Sequence, residues 1–257
     1  MNKNPDYSVL TYNIGGYEIL HEVEEPSERA EYIYVTDDRS ITSSTWNVVY
    51  VDNPHPEDPF DLCYKIRFNP FDYVHTDVVV RIDGSMIVKK PLDKIVDDFN
   101  AGNWDISLCI HPTRSVLYDE YVAWVVQRGY PVEQANKVLS FLSSMEGYDV
   151  KNYRGLYQYN FMIQRNNKAN NDLNMMTLAF MRYLAPDGKC VERLDQTLGS
   201  FVLNKYFNGL NVLPVGEDLF HSEYLSWCAH GTDTPLRFEG KTSTPYLFGR
   251  EITTTTF

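Results

Sequence analysis

The stretch Val78-Val79-Val80-Arg81-Ile82-Asp83-Gly84-Ser85 constrains the fold more than any other part of the chain. A run of β-branched residues without polar alternation is the pattern of a strand buried on both faces, as in a parallel sheet covered by helices. The strand stops at an acid, a glycine and a serine. In open α/β sheets, ligands bind in the crevice beyond the carboxyl ends of the strands. A carboxylate at such a tip suits a hard divalent cation held against the phosphates of a nucleotide. The same residues also suit a plain Asp-Gly turn. Both readings stand at this point.

Around this strand the chain alternates between strand and helix patterns. Residues 8–14, 32–35 and 46–51 are short β-rich runs, closed by Gly15-Gly16, Thr36-Asp37-Asp38 and Asp52-Asn53-Pro54. Residues 61–73 hold a short helix that Pro70 bends or ends. Pro91 suits a first helical position, and Leu92, Ile95, Val96 and Phe99 follow at helical spacing up to a stop at Gly102. Residues 104–110 read as a strand. A helix follows over 115–128 with Gly129 as its stop, and another over 131–145 before Gly147. Residues 157–164 alternate as a strand does, and 173–184 and 194–207 read as helices. Past Pro214 the chain turns rich in Thr, Gly and Pro, and an irregular tail is expected. This order predicts one continuous α/β domain over residues 1–257 with a mostly parallel sheet. A G-x-G-x-x-G dinucleotide fingerprint is missing.

Composition narrows the function classes. Apolar content of 43% with 14% aromatics excludes a disordered chain. The formal net charge of −12 leaves no broad basic face for nucleic acid. Lys65, Arg67, Arg81, Lys89 and Lys90 are the basic residues nearest the Asp83 tip, so an anionic ligand must be held locally. Cys63, Cys109, Cys190 and Cys228 form no C-x-x-C, which argues against a local zinc knuckle and for reduced thiols in a cytoplasmic setting. No secretory leader and no run of about 18 apolar residues is evident, so any membrane association is expected to be peripheral.

Five groups of residues are candidates for chemistry. A carboxylate of Asp37-Asp38 at a strand end suits a ribose hydroxyl, or equally a turn cap. Lys65 or Arg67 suits a leaving diphosphate, or equally a solvated helix face. His111, Arg114 and Glu120, close together after the 104–110 strand, suit sugar orientation or a structural ion-pair network. Asp195 opens a helix, where the dipole favours an acid, and also suits a general base or hydroxyl ligand. His221 and His230 lie late in the chain, and either could fold back onto Asp83 to complete a metal site.

Six stretches taken in order resemble a known family. They are residues 11–17 (TYNIGGY), 32–38 (YIYVTDD), 64–67 leading into 81–85 (RIDGS), 106–120 (ISLCIHPTRSVLYDE), 159–165 (YNFMIQR) and 193–201 (RLDQTLGSF). This is the glycosyltransferase-like domain of plant turgor-regulation and mucilage proteins, formerly a domain of unknown function and also found in bacteria. The resemblance covers about residues 7–207. It implies a GT-A-like, Rossmann-type sheet flanked by helices. A nucleotide-binding half would span about residues 6–110 and an acceptor half about 111–230. The implied activity is transfer of a sugar from a nucleotide-sugar to a hydroxyl on a bacterial glycan or lipid-linked acceptor. The family's Asp-Gly step replaces a fuller D-x-D; Asp83 matches the first acid and Ser85 stands where a second would be. By position the family implies that Asp37 faces the nucleotide, Lys65 the phosphates, and His111, Arg114, Glu120 and Asp195 the reaction cleft; Tyr12, Arg67, Asp83 and Arg114 are candidates for donor binding and Asn160 for acceptor binding. His111, Glu120 and Asp195 are the implied catalytic residues. Asp83 is the implied ligand for Mn²⁺ or Mg²⁺, with Ser85 in the place of a second acid and either His221 or His230 as the late histidine ligand. A plant member is linked to ceramide hydrolysis, so a hydrolase is the alternative, alongside an inactive glycan-binding domain.

Overall fold

The computed structural model describes residues 4–127, 131–145, 155–184 and 194–236; Gly129, Gly147, Cys190, Arg193 and the tail past 236 lie outside the described residues. In chain order the elements are β1 (Tyr7–Asn13), β2 (Ala30–Thr36), β3 (Asn47–Tyr50), α1 (Pro59–Phe68), β4 (Val78–Ile82), β5 (Met86–Val88), α2 (Asp93–Ala101) and β6 (Ile106–Ile110). They continue with α3 (Leu117–Val122), α4 (Val132–Ser144), β7 (Tyr157–Arg165), α5 (Lys168–Leu184), α6 (Leu194–Tyr206), β8 (Val212–Val215) and β9 (Leu225–Trp227). Seven strands form one sheet in the order β3-β2-β1-β4-β7-β6-β8, and β5 pairs with β9 apart from it. The β1–β2, β2–β3, β1–β4 and β6–β8 pairs are parallel; only β7 runs against its neighbours β4 and β6. The result is an α/β fold with a mostly parallel central sheet flanked by helices.

All five residues of β4 are buried, as the β-branched run requires of a strand covered on both faces. Val78, Val80 and Ile82 enter the core that holds Ile95, Val96 and Phe99 of α2. Val79 faces the other way and packs with Leu10, Ile33 and Ile66. A third cluster joins α4, α5 and α6 to the far end of the sheet through Leu108 and Met162. The end of α1 follows from its sequence. Asp58 caps the first turn by accepting from the Phe60 N–H at 3.3 Å, Pro59 takes the first position, and the helix stops before Pro70.

β8 runs through Pro214 and extends the sheet beside β6, and the tail past it is not irregular throughout, since β9 lies on β5. Residues from both ends of the expected division into two halves therefore share one sheet. Short strands that gain their order from distant partners carry little local pattern, which is why β5, β8 and β9 escape a periodicity reading.

Gly199 on α6 lies against Tyr159 of β7, and a Cβ at Gly199 would fall on the Cζ and Oη atoms of that ring. Tyr159 is 2% exposed and packs on the Phe68 ring, so moving it aside disturbs buried packing. Gly199→Ala is therefore expected to lower the unfolding free energy by about 1–3 kcal/mol. Denaturant titration checks this; an unchanged midpoint would mean that the Tyr159 ring moves aside at no cost.

Candidate functional site

The sheet order reverses between β1 and β4, because β1 connects outward to β2 while β4 lies on its other side. Such a switch point opens a crevice at the carboxyl ends of the strands. A cleft of about 220 Å³ is found there, floored by Tyr12 and Asn13 at the end of β1 and by Asp83 and Gly84 beyond β4. One stripe of α1 forms a wall: Phe60, Cys63, Tyr64 and Arg67 stand at i, i+3, i+4 and i+7 and all line the cleft.

Arg67 is the hub. Its Nε donates to Tyr12 Oη at 2.6 Å, its Nη2 to Asp83 Oδ1 at 2.8 Å, and its Nη1 to Asp195 Oδ2. Burial works against the guanidinium charge, but Tyr12, Asp83 and Tyr64 outweigh it and hold the group above its ordinary range. Burial pushes the Tyr12 phenol up to about 12, so it is a neutral partner. Beneath Asp83 lies Arg81, 1% exposed; its Nη2 donates to the Tyr159 carbonyl at 2.7 Å and its Nη1 is 3.7 Å from Asp83 Oδ1. Burial, with Arg67 nearby, brings the Arg81 guanidinium down to about 10. Its Nε and Nη1 make no hydrogen bond.

The opposite wall comes from a β-bulge. Leu108 pairs with Met162 but the next residue, Cys109, pairs with Gln158, so residues 159–161 of β7 face no β6 partner. Bulges re-aim side chains beside functional sites. Here Gln158, Tyr159 and Asn160 all line the cleft in succession, which regular alternation forbids. His111 and Arg114 follow the end of β6. Arg114 Nε donates to His111 Nε2 at 3.0 Å, and Arg114 Nη1 meets Glu120 Oε2 at 2.7 Å. Glu120 is fully buried and also accepts from Trp124 Nε1 at 3.1 Å.

The rim is closed by two segments from opposite ends of the chain. His230 Nδ1 lies 2.5 Å from Glu18 Oε1, and the Gly231 N–H donates to Glu18 Oε2 at 2.8 Å. Tyr17, Glu18, Trp227 and His230 all line this edge of the cleft.

Of the residues singled out by sequence, Tyr12, Arg67, Asp83, His111, Arg114, Asn160, Asp195 and His230 converge on the cleft. The others sit elsewhere for identifiable reasons. Lys65 is two residues from Arg67 on α1, about 200° around the helix, so it cannot share its face; it pairs with Asp61 at 2.6 Å and lines a separate depression with Arg182. Asp37 serves as a cap: Oδ1 accepts from the Gly15 N–H and Oδ2 from Asn53 Nδ2, both at 2.9 Å. Glu120 lies beneath Arg114 and positions it from outside the cleft. Ser85 is turned inward by the turn into β5, where its Oγ accepts from Trp227 Nε1 at 3.2 Å. His221 is away from the cleft, its ring held below the usual imidazole range by burial and by Lys89.

The candidate metal ligands are therefore scattered. Asp83 presents a carboxylate oxygen already held by Arg67, Ser85 and His221 point elsewhere, and His230 engages Glu18 at the rim. Among the described residues no group of three His, Cys, Asp or Glu side chains gathers as a metal cage would need. The residues present do not fit a preformed divalent cation site. Cys63, Cys109 and Cys228 are free thiols, and among the described residues no helix is long and apolar enough to cross a membrane.

Tyr64, Gln158, Gln196, Glu18 and Trp227 were not singled out by sequence reasoning. The stripe spacing on α1 carried a signal for Tyr64; the bulge and the returning β9 segment carried none.

No family model matches the chain, and no curated protein aligns with it significantly.

Proposed function

We propose that the protein is a glycosyltransferase that moves a sugar from a nucleotide-sugar to a hydroxyl acceptor, consistent with a role in bacterial glycan synthesis. The observation that carries this reading is the Asp83–Arg67–Asp195 bridge at the switch point of the sheet. That crevice is where α/β sheets take nucleotides, and a guanidinium between two carboxylates pairs the parts that donor binding and acceptor activation need. An incoming diphosphate competes with both carboxylates for Arg67, because its oxygens accept the same planar fork. Each N–H turned to phosphate frees a carboxylate oxygen. Arg67 and Arg114 then neutralise the charge that develops on the leaving nucleoside diphosphate. Asp195, freed in the same event, takes the proton of the acceptor hydroxyl as it attacks the anomeric carbon. Tyr12 and Tyr64 supply flat apolar faces beside the phosphate site.

The test is thermal unfolding in the presence of UDP-, GDP-, ADP-, CDP- and dTDP-sugars, with and without Mn²⁺. A true donor at about a hundredfold excess over its Kd stabilises by about 2.7 kcal/mol, about 5–10 °C in a chain of this size. If no nucleotide-sugar shifts the transition, the donor reading fails. Release of free product from a glycolipid with no nucleotide present would replace it with the hydrolase reading.

A further inference from the structure

The cleft has a second wall with a different chemistry from the arginine side. Gln158 and Asn160 from the bulge of β7, and Gln196 from the first turn of α6, present three neutral carboxamides to the same space. Asn160 is 8% exposed, and its Nδ2 donates to Gln158 Oε1 at 3.4 Å. Gln158 Oε1 also accepts from Cys109 Sγ at 3.5 Å, which fixes the Gln158 amide; turning the Asn160 amide over would then set two amide oxygens against each other, so its Oδ1 is the atom left over. Among the described residues nothing donates to Asn160 Oδ1 or to Gln196 Oε1. Buried amide oxygens are almost always hydrogen-bonded in folded proteins, so two orphans on the wall of one cleft mark partners that arrive with a ligand.

The type of orphan selects the ligand. Both are acceptors, so they need O–H or N–H donors. Phosphate and carboxylate groups offer only acceptors when ionised and cannot satisfy them. We infer that the Gln158–Asn160–Gln196 wall is a subsite for a neutral, polyhydroxylated ring, a hexose unit, whose hydroxyls donate to Asn160 and Gln196 while anionic groups are taken by the arginine side. The inference rests on the transferase reading for which molecule brings that ring, donor or acceptor. The chemistry of the wall is the same for both.

The experiment compares wild type with Asn160→Ala and Gln196→Ala in calorimetric titrations against UDP-glucose and GDP-mannose, against bare UDP and GDP, and against UDP-glucuronate. Saturation-transfer NMR with maltose and cellobiose covers the acceptor source. Gln196 is partly exposed, so its variant keeps a folded control even if Asn160→Ala is destabilised; circular dichroism verifies both. For a donor-side ring, each variant loses about tenfold in affinity for the neutral nucleotide-sugar, the scale of one hydrogen bond, while bare nucleotide binding is unchanged. For an acceptor-side ring, the disaccharide signal falls in the variants and nucleotide-sugar affinity holds. Equal losses for nucleotide and nucleotide-sugar, tighter wild-type binding of UDP-glucuronate than of UDP-glucose, or no change with any ligand overturns the inference. If no nucleotide binds but a disaccharide signal vanishes in the variants, the transferase reading falls and the subsite stands. If no hydroxylated ligand binds wild type, both fall.

Discussion

Arg67→Met is expected to cost about 3–5 kcal/mol of stability, the scale of removing one partner from a buried ion pair. Methionine fills most of the same volume, so the loss is electrostatic rather than a cavity. Three hydrogen bonds vanish together, and the side chains of Asp83 and Asp195, 26% and 4% exposed, are left facing each other without their shared cation. Denaturant titration of Arg67→Met at pH 7 checks this. A loss below about 1 kcal/mol would mean that the bridge is a surface pair of little consequence.

Asp195→Asn is expected to lower kcat by about 10²–10⁴, the usual contribution of a positioned general base. The fold should survive, because Arg67 keeps Asp83 and Tyr12, and the amide of Asn still accepts a hydrogen bond. The KM for the donor should change little, since Arg67 retains its charge. Steady-state kinetics on the donor that emerges from the nucleotide-sugar screen separates the outcomes. A raised KM with kcat intact would make Asp195 a positioning residue that orients the sugar. Full activity would remove it from the reaction. Glu120, buried under Arg114, provides the contrast: a loss of turnover in Glu120→Gln is expected to run through the placement of the guanidinium.

The legible part of the site follows local rules. Asp83 stands at the tip of a fully buried strand because β-branched runs mark covered strands, and ligand-facing residues lie where such a strand leaves the sheet. The α1 stripe is readable as helical spacing, and that spacing decides between Lys65 and Arg67: the i+7 position of the Phe60 face is Arg67, and Lys65 lies across the helix. Ser85 turns away from the cleft for a reason local sequence does not carry. The Asp83 carbonyl accepts from the Met86 N–H at 3.0 Å, which closes a turn that sends Ser85 toward Trp227.

The amino-acid sequence by itself determined the alternation of strands and helices, the doubly covered β4 and the acid at its end, because burial period and turn chemistry are written within a few residues of each other. The tertiary structure alone decided which acids and cations meet. Arg67 and Asp195 are 128 residues apart, and Trp227 and Ser85 are 142 apart. Their meeting depends on strand order, on one antiparallel strand with a bulge, and on a late segment returning to β5. Local periodicity encodes which face of an element is buried; only the packing of distant elements sets what that face is buried against.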